Sequence, residues 1–110
     1  MRKIEREMVE AIRSLRDWRK DNTEVSFDMN SGVSTVYLHN NPIAEVGDDF
    51  IRVDHCGWQT NTTKSRLNAI LNTFARNCGV YQENFVWYFM GPDGSVEFDD
   101  VMEVPFCFNL

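Results

Sequence analysis

The stretch Gly57-Trp58-Gln59-Thr60-Asn61-Thr62-Thr63-Lys64-Ser65-Arg66 holds the densest set of groups able to grip an anion. Thr60, Thr62, Thr63 and Ser65 bring hydroxyls, and Lys64 and Arg66 bring charge. A helix starting here adds free backbone N–H groups and the positive end of its dipole. Trp58, just ahead, offers a face on which a base or another ring can stack. A phosphate, a carboxylate or a nucleic-acid backbone is the ligand class that suits such a set. The same residues also serve plain helix capping beside a core tryptophan, which general frequency favours, and no Gly-rich phosphate loop accompanies them.

Other chemistry is sparse. His39 and His55 stand apart from any serine or cysteine in a nucleophile context. His55 and Cys56 are adjacent, so on a strand their side chains diverge and do not share a metal. His39-Asn40-Asn41 has a faint nuclease look that a hairpin turn explains better. Asp48-Asp49 and Asp99-Asp100 lack the spaced ligands of a calcium loop. No metal, cofactor or catalytic residue is expected. Asp48, Asp49, Asp93, Glu97, Asp99 and Asp100 instead form a second candidate binding set, an acidic surface for a partner.

The element that must carry the first set is a helix. Apolar residues at 67, 70, 71, 74, 75 and 78 form one stripe of period 3.6, Thr62 or Thr63 caps its start and Gly79 ends it. Lys64, Asn68, Asn72 and Arg76 fall opposite. A second amphipathic helix is expected in the first twenty residues, on Ile4, Met8, Ala11, Ile12, Leu15 and Trp18, with Arg6–Glu10 and Arg13–Asp17 pairs outside. Asp21-Asn22 ends it.

Between the helices the pattern alternates with period two. Val25, Phe27 and Met29 start a strand, Asn30-Ser31-Gly32 turns, and Val33–His39 returns. Asn40-Asn41 forms the next turn before Ile43–Val46, and Gly47-Asp48-Asp49 turns into Phe50–Asp54. After the second helix, Val80–Met90 is apolar on both faces, which asks for a central or doubly covered strand. Gly91-Pro92-Asp93-Gly94 turns it into Ser95–Phe98. The tail mixes acids with Phe106 and Phe108 and is expected to pack. The fold class is therefore α+β, one domain over residues 1–110 in the order α-ββββ-α-ββ, with two helices on one face of an antiparallel sheet. Trp58, Leu67, Ile70, Leu71, Phe74, Phe85, Trp87 and Phe89 are its expected core.

The chain is 43% hydrophobic and 25% charged, within the range of folded domains, with no apolar run of transmembrane length and no signal-peptide core. Three cysteines, Cys56, Cys78 and Cys107, without C-x-x-C spacing fit buried thiols in a reducing compartment. The net charge of −6 is unevenly spread. Residues 1–20 carry seven Lys/Arg against four Asp/Glu, and residues 64–79 carry three against none. Residues 21–63 carry one against seven, and residues 80–110 none against six. Cations thus concentrate on the expected helices and acids on everything else.

Val36-Tyr37-Leu38-His39-Asn40-Asn41-Pro42-Ile43-Ala44, Gly57-Trp58-Gln59-Thr60 and Thr62-Thr63-Lys64-Ser65-Arg66-Leu67-Asn68-Ala69 resemble a group of small uncharacterised proteins of tailed bacteriophages. The opening Met1-Arg2-Lys3-Ile4-Glu5 is similar too. The likeness runs to about Tyr88 and does not reach the acidic segment from Asp93 to Glu103. It implies the cytoplasm of an infected bacterial host and brings no catalytic or binding residue. The expected function is a non-catalytic phage accessory protein that binds and modulates or inhibits a host macromolecule, a nucleic-acid-handling or defence enzyme, its carboxylates occupying a groove meant for phosphates. The alternatives are a nucleic-acid-binding module built on Trp58–Arg66 and a structural homo-oligomer, a homodimer joined through the aromatic strand edge. A membrane partner is not expected.

Overall fold

The computed structural model describes residues 1–75 and 77–105. Helix α1 spans Lys3–Arg13, followed by strands β1 (Trp18–Lys20), β2 (Thr23–Asp28), β3 (Val33–Leu38), β4 (Asn41–Val46) and β5 (Phe50–Val53). Helix α2 spans Asn61–Phe74, and β6 (Gly79–Glu83), β7 (Val86–Gly91), β8 (Gly94–Glu97) and β9 (Met102–Pro105) complete the chain. The α+β class, the antiparallel pairing and the alternation of helix and strand blocks agree with the sequence. Strands β1 and β9 are additional, the single strand expected over Val80–Met90 is instead a hairpin that turns at Asn84-Phe85 into β6 and β7, and the strands divide into two sheets, β1-β2-β3-β4-β5-β9 and β6-β7-β8.

Helix α1 is shorter than its apolar stripe. Ser14 closes it and Leu15 takes φ +54°. Leu15 N–H donates to the Ile12 carbonyl and Arg16 N–H to that of Ala11, the bond pair of a Schellman stop. Met8, Ala11 and Ile12 stay buried while Leu15 turns out to 56% exposure. Trp18 passes into β1, opposite Val25. The Arg13–Asp17 pair therefore does not form: Arg13 meets Glu10 at 3.1 Å, and Asp17 accepts from Phe27 N–H at 2.8 Å. Arg6 likewise donates to the Met1 carbonyl rather than meeting Glu10.

The β3–β4 turn lies one residue earlier than expected. His39 and Asn40 hold φ +50° and +65° between paired Leu38 and Asn41, so both loop positions are left-handed, as a type I′ turn demands. A bulge between Val36 and Tyr37 then shifts the register. On one face of the larger sheet Val25, Val36, Leu38, Ile51 and Val53 are buried in the core, with α1 packed on β1 and β2 and α2 on β4. On the other, Arg52 bridges Glu45 of β4 and Glu103 of β9, which stand opposite it in the ladder.

The smaller sheet packs on α2 through β6. Val80, Trp87 and Phe89 point inward, whereas Tyr88 is half-buried and Met90 exposed, so β7 is covered on one face only. The free edge of β6 is held by one side chain: Asn68 of α2 donates to the Val80 carbonyl at 2.9 Å and accepts from Val80 N–H at 2.7 Å. His55, just past β5, joins the two sheets. Gly57 N–H donates to its Nδ1, so its Nε2–H faces the Phe98 carbonyl at 3.0 Å, with the rings of Trp87 and Phe98 edge-on. Leu67, Ile70, Leu71, Phe74, Trp87 and Phe89 are core residues as expected, but Trp58 and Phe85 are not, at 59% and 91% exposure. Phe106, Cys107 and Phe108 lie outside the described residues.

Candidate interaction surfaces

Two successive left-handed residues, Cys56 at φ +56° and Gly57 at φ +77°, throw Trp58 outward ahead of α2. Beside it opens a cleft of about 260 Å³ between the β3–β4 hairpin and the helix start, walled by Leu38, His39, Asn41, Trp58, Thr60 and Thr62. Thr60 is the N-cap, its hydroxyl accepting from Thr63 N–H at 3.1 Å and lying 3.0 Å from the Thr63 hydroxyl.

The cations expected to complete an anion site turn elsewhere. Arg66 is 4% exposed, because the turn of the helix carries it to the side facing α1. There Nη1 meets Glu5 Oε2 at 2.8 Å and Nε donates to Thr23 Oγ1 at 3.0 Å. Ser65 donates to the same Glu5 oxygen, and Arg2 N–H to the other. Burial works to raise the pKa of Glu5, but the bonds from Ser65, Arg2 and Arg66 and the Arg66 charge hold it below the ordinary carboxylate value. Lys64 places its ammonium 5.9 Å from the centroid of Trp87, over the ring. Trp58, Thr60, Thr62 and Thr63 are thus together at the cleft, while Lys64, Ser65 and Arg66 are committed within the fold. Glu5 was legible only as a helix-surface acid; its spacing from Ile4 and Met8 gave no sign of a buried partner sixty residues on.

The acidic set is also divided. Asp48 and Asp49 sit in the β4–β5 turn, next to Phe50, which pairs with Pro105. Asp99 and Asp100 precede Met102, which pairs with Val53, so the two pairs lie at opposite ends of the β5–β9 ladder. Asp93, Glu97, Asp99 and Asp100 border the smaller sheet, all exposed. Its outer face carries Tyr81 stacked on Tyr88 at 5.4 Å, with Glu97 opposite Tyr88 and Ser95 opposite exposed Met90. It is an aromatic surface edged by carboxylates.

Cys56 is half-buried, with Sγ 3.2 Å from the Pro42 carbonyl, and burial together with Asp54 pushes its pKa up, away from thiolate. Among the described residues no three His, Cys, Asp or Glu side chains converge as a metal site, and no helix is long and apolar enough to cross a membrane.

The model of the Kyanoviridae Gp96 protein family matches residues 1–107. The chain belongs to that family. It is a bacteriophage protein, and the match takes in the acidic segment from Asp93 to Glu103 that the shorter resemblance left out. No curated protein and no solved structure matches the chain.

Proposed function

We propose that this chain is a non-catalytic phage accessory protein that binds a host protein through the acidic, aromatic surface of its smaller sheet. The observation that carries this reading is the disposition of charge. Residues 80–110 hold six acidic side chains and no cation, and five of them, all but the Arg52-paired Glu103, lie exposed on or beside the smaller sheet, while Arg66 is spent inside the fold. A surface of that kind complements a basic patch, including a host enzyme's groove for phosphates, and its field speeds encounter with one. Modulation or inhibition of a nucleic-acid-handling or defence enzyme follows if the carboxylates fill that groove.

The experiment is a capture from lysate of the bacterial host with the tagged protein, with and without nuclease. The expected result is one stoichiometric protein that survives nuclease and is lost when Asp93, Glu97, Asp99 and Asp100 are changed to their amides. Recovery of nucleic acid instead, lost with Lys64→Ala, would move the site to the start of α2 and overturn the reading.

A further inference from the structure

Phe85 is 91% exposed. It shares with Asn84 the two-residue loop between β6 and β7, where Glu83 pairs with Val86. Both residues have positive φ, +53° for Asn84 and +68° for Phe85, the mark of a type I′ turn. Asn tolerates that conformation. At the second loop position glycine is the favoured residue, because a Cβ crowds the left-handed backbone, and a bulky aromatic there is an outlier. Phe85 therefore costs the fold twice, in backbone strain and in a phenyl ring left in water. With nine-tenths of its surface in solvent, packing within the chain gives little back.

Acidic residues share this end of the smaller sheet. Glu83 precedes the turn, and Phe98 N–H donates to the Trp87 carbonyl at 2.8 Å. The chain beyond β8 thus runs beside the start of β7 and delivers Asp99 and Asp100 towards the same end of the sheet. An apolar knob within a charged rim is the anatomy of an interface anchor, in which the rim excludes water and the centre fills a pocket.

We propose that Phe85 is the anchor of the binding surface, inserting into an apolar socket of a partner protein whose edge carries Lys and Arg. This rests on the reading that the acidic sheet is the surface used. A second copy of the chain is the wrong partner, since two carboxylate rims would meet with like charge.

The test places p-benzoylphenylalanine at position 85 and irradiates the protein in nuclease-treated host lysate. The crosslink is expected on one protein, at an apolar residue flanked by Lys or Arg on that protein's surface. Binding of that protein, once purified, is then compared among variants. Phe85→Gly should raise the melting midpoint by about 4 °C as strain is relieved, yet weaken binding roughly thirtyfold or more, the loss typical of a hot-spot truncation. Phe85→Trp should retain binding. The anchor is overturned by crosslinks between two copies of this chain, or by a midpoint that falls in Phe85→Gly, which would reveal a packing role. Unchanged binding in Phe85→Gly with weakened binding in Glu83→Gln, Asp99→Asn and Asp100→Asn removes the anchor and leaves the acidic surface standing. Unchanged binding in both sets removes both.

Discussion

Leu15 takes the position after a helix stop where glycine is usual, and its φ of +54° is held by the two carbonyl bonds of that stop. Leu15→Gly should therefore stabilise the protein by about 1 kcal/mol in urea unfolding, since the exposed side chain gives up little burial. Ser34 is a different case: it is 1% exposed, among the described residues, and its hydroxyl has no partner. Ser34→Ala should raise stability by about 1 kcal/mol, because a buried hydroxyl without a hydrogen bond costs more than its absence. Glu5, the buried one of the carboxylates with a lowered pKa, contributes pH dependence. Its pKa is lowered from 4.5 in the fold, so its stabilising effect is complete above that ordinary value and is lost as pH falls through the lower folded value. Denaturation midpoints should drop on acidification in the wild type and less so in Glu5→Gln, whereas Glu5→Ala should cost about 3–5 kcal/mol at neutral pH by stranding Arg66. None of these three residues was legible from sequence. Periodicity counts Leu15 as one more helical apolar residue, and it assigns Glu5 and Arg66 to solvent by type, when each is affordable in the core only because the other is there.

At the scale of elements the sequence was more informative, because periodicity is a property of segments. The apolar stripe of α2 is buried at Leu67, Ile70, Leu71 and Phe74, and the alternation over β3 holds, whereas that over β2 keeps Val25 inside but leaves Phe27 half-buried and Met29, past the strand's end, 86% exposed. What the pattern did not carry was the partner of each edge. Asn68 falls on the polar side of α2 and reads as solvated, yet it takes both backbone groups of Val80. Asn68→Ala should leave that N–H and carbonyl unpaired, costing about 2 kcal/mol and speeding amide exchange at Val80 beyond exchange at Val36. The extra strand β1 was hidden for a related reason: Trp18 continues the α1 stripe by spacing, and only the early stop at Leu15 frees it to pair with β2. Of the candidate site, Trp58, Thr60 and Thr62 do lie together at the helix start, but the cap is Thr60 rather than Thr62 or Thr63, and Trp58 is exposed rather than core. The inward turn of Ser65 and Arg66 depends on where α1 packs, which no local spacing encodes.

For the molecule as a whole, the division of the strands into two sheets makes the joint between them decisive. Phe98 is fully buried against His55 and Phe89, and His55 in turn meets Trp87 edge-on. Phe98→Ala should cost about 3–5 kcal/mol, measured by denaturant titration, and loosen both sheets together. The charge pattern read from the sequence survives as a property of surfaces only in part, since cations counted on the helices include a buried Arg66, whereas the acids of the smaller sheet remain outside. Strand β9 carries one further consequence, for the order in which the chain assembles. It lays Met102–Pro105 against β5, whose residues lie some fifty positions earlier. A growing chain can close the β2–β5 meander by local hairpins long before that partner leaves the ribosome. Until then the outer backbone groups of β5 stay open to any passing strand. Asp99 and Asp100 arrive only with β9, so until the sheet is sealed the like charge set beside that open edge is that of Asp48 and Asp49, in the turn that leads into β5.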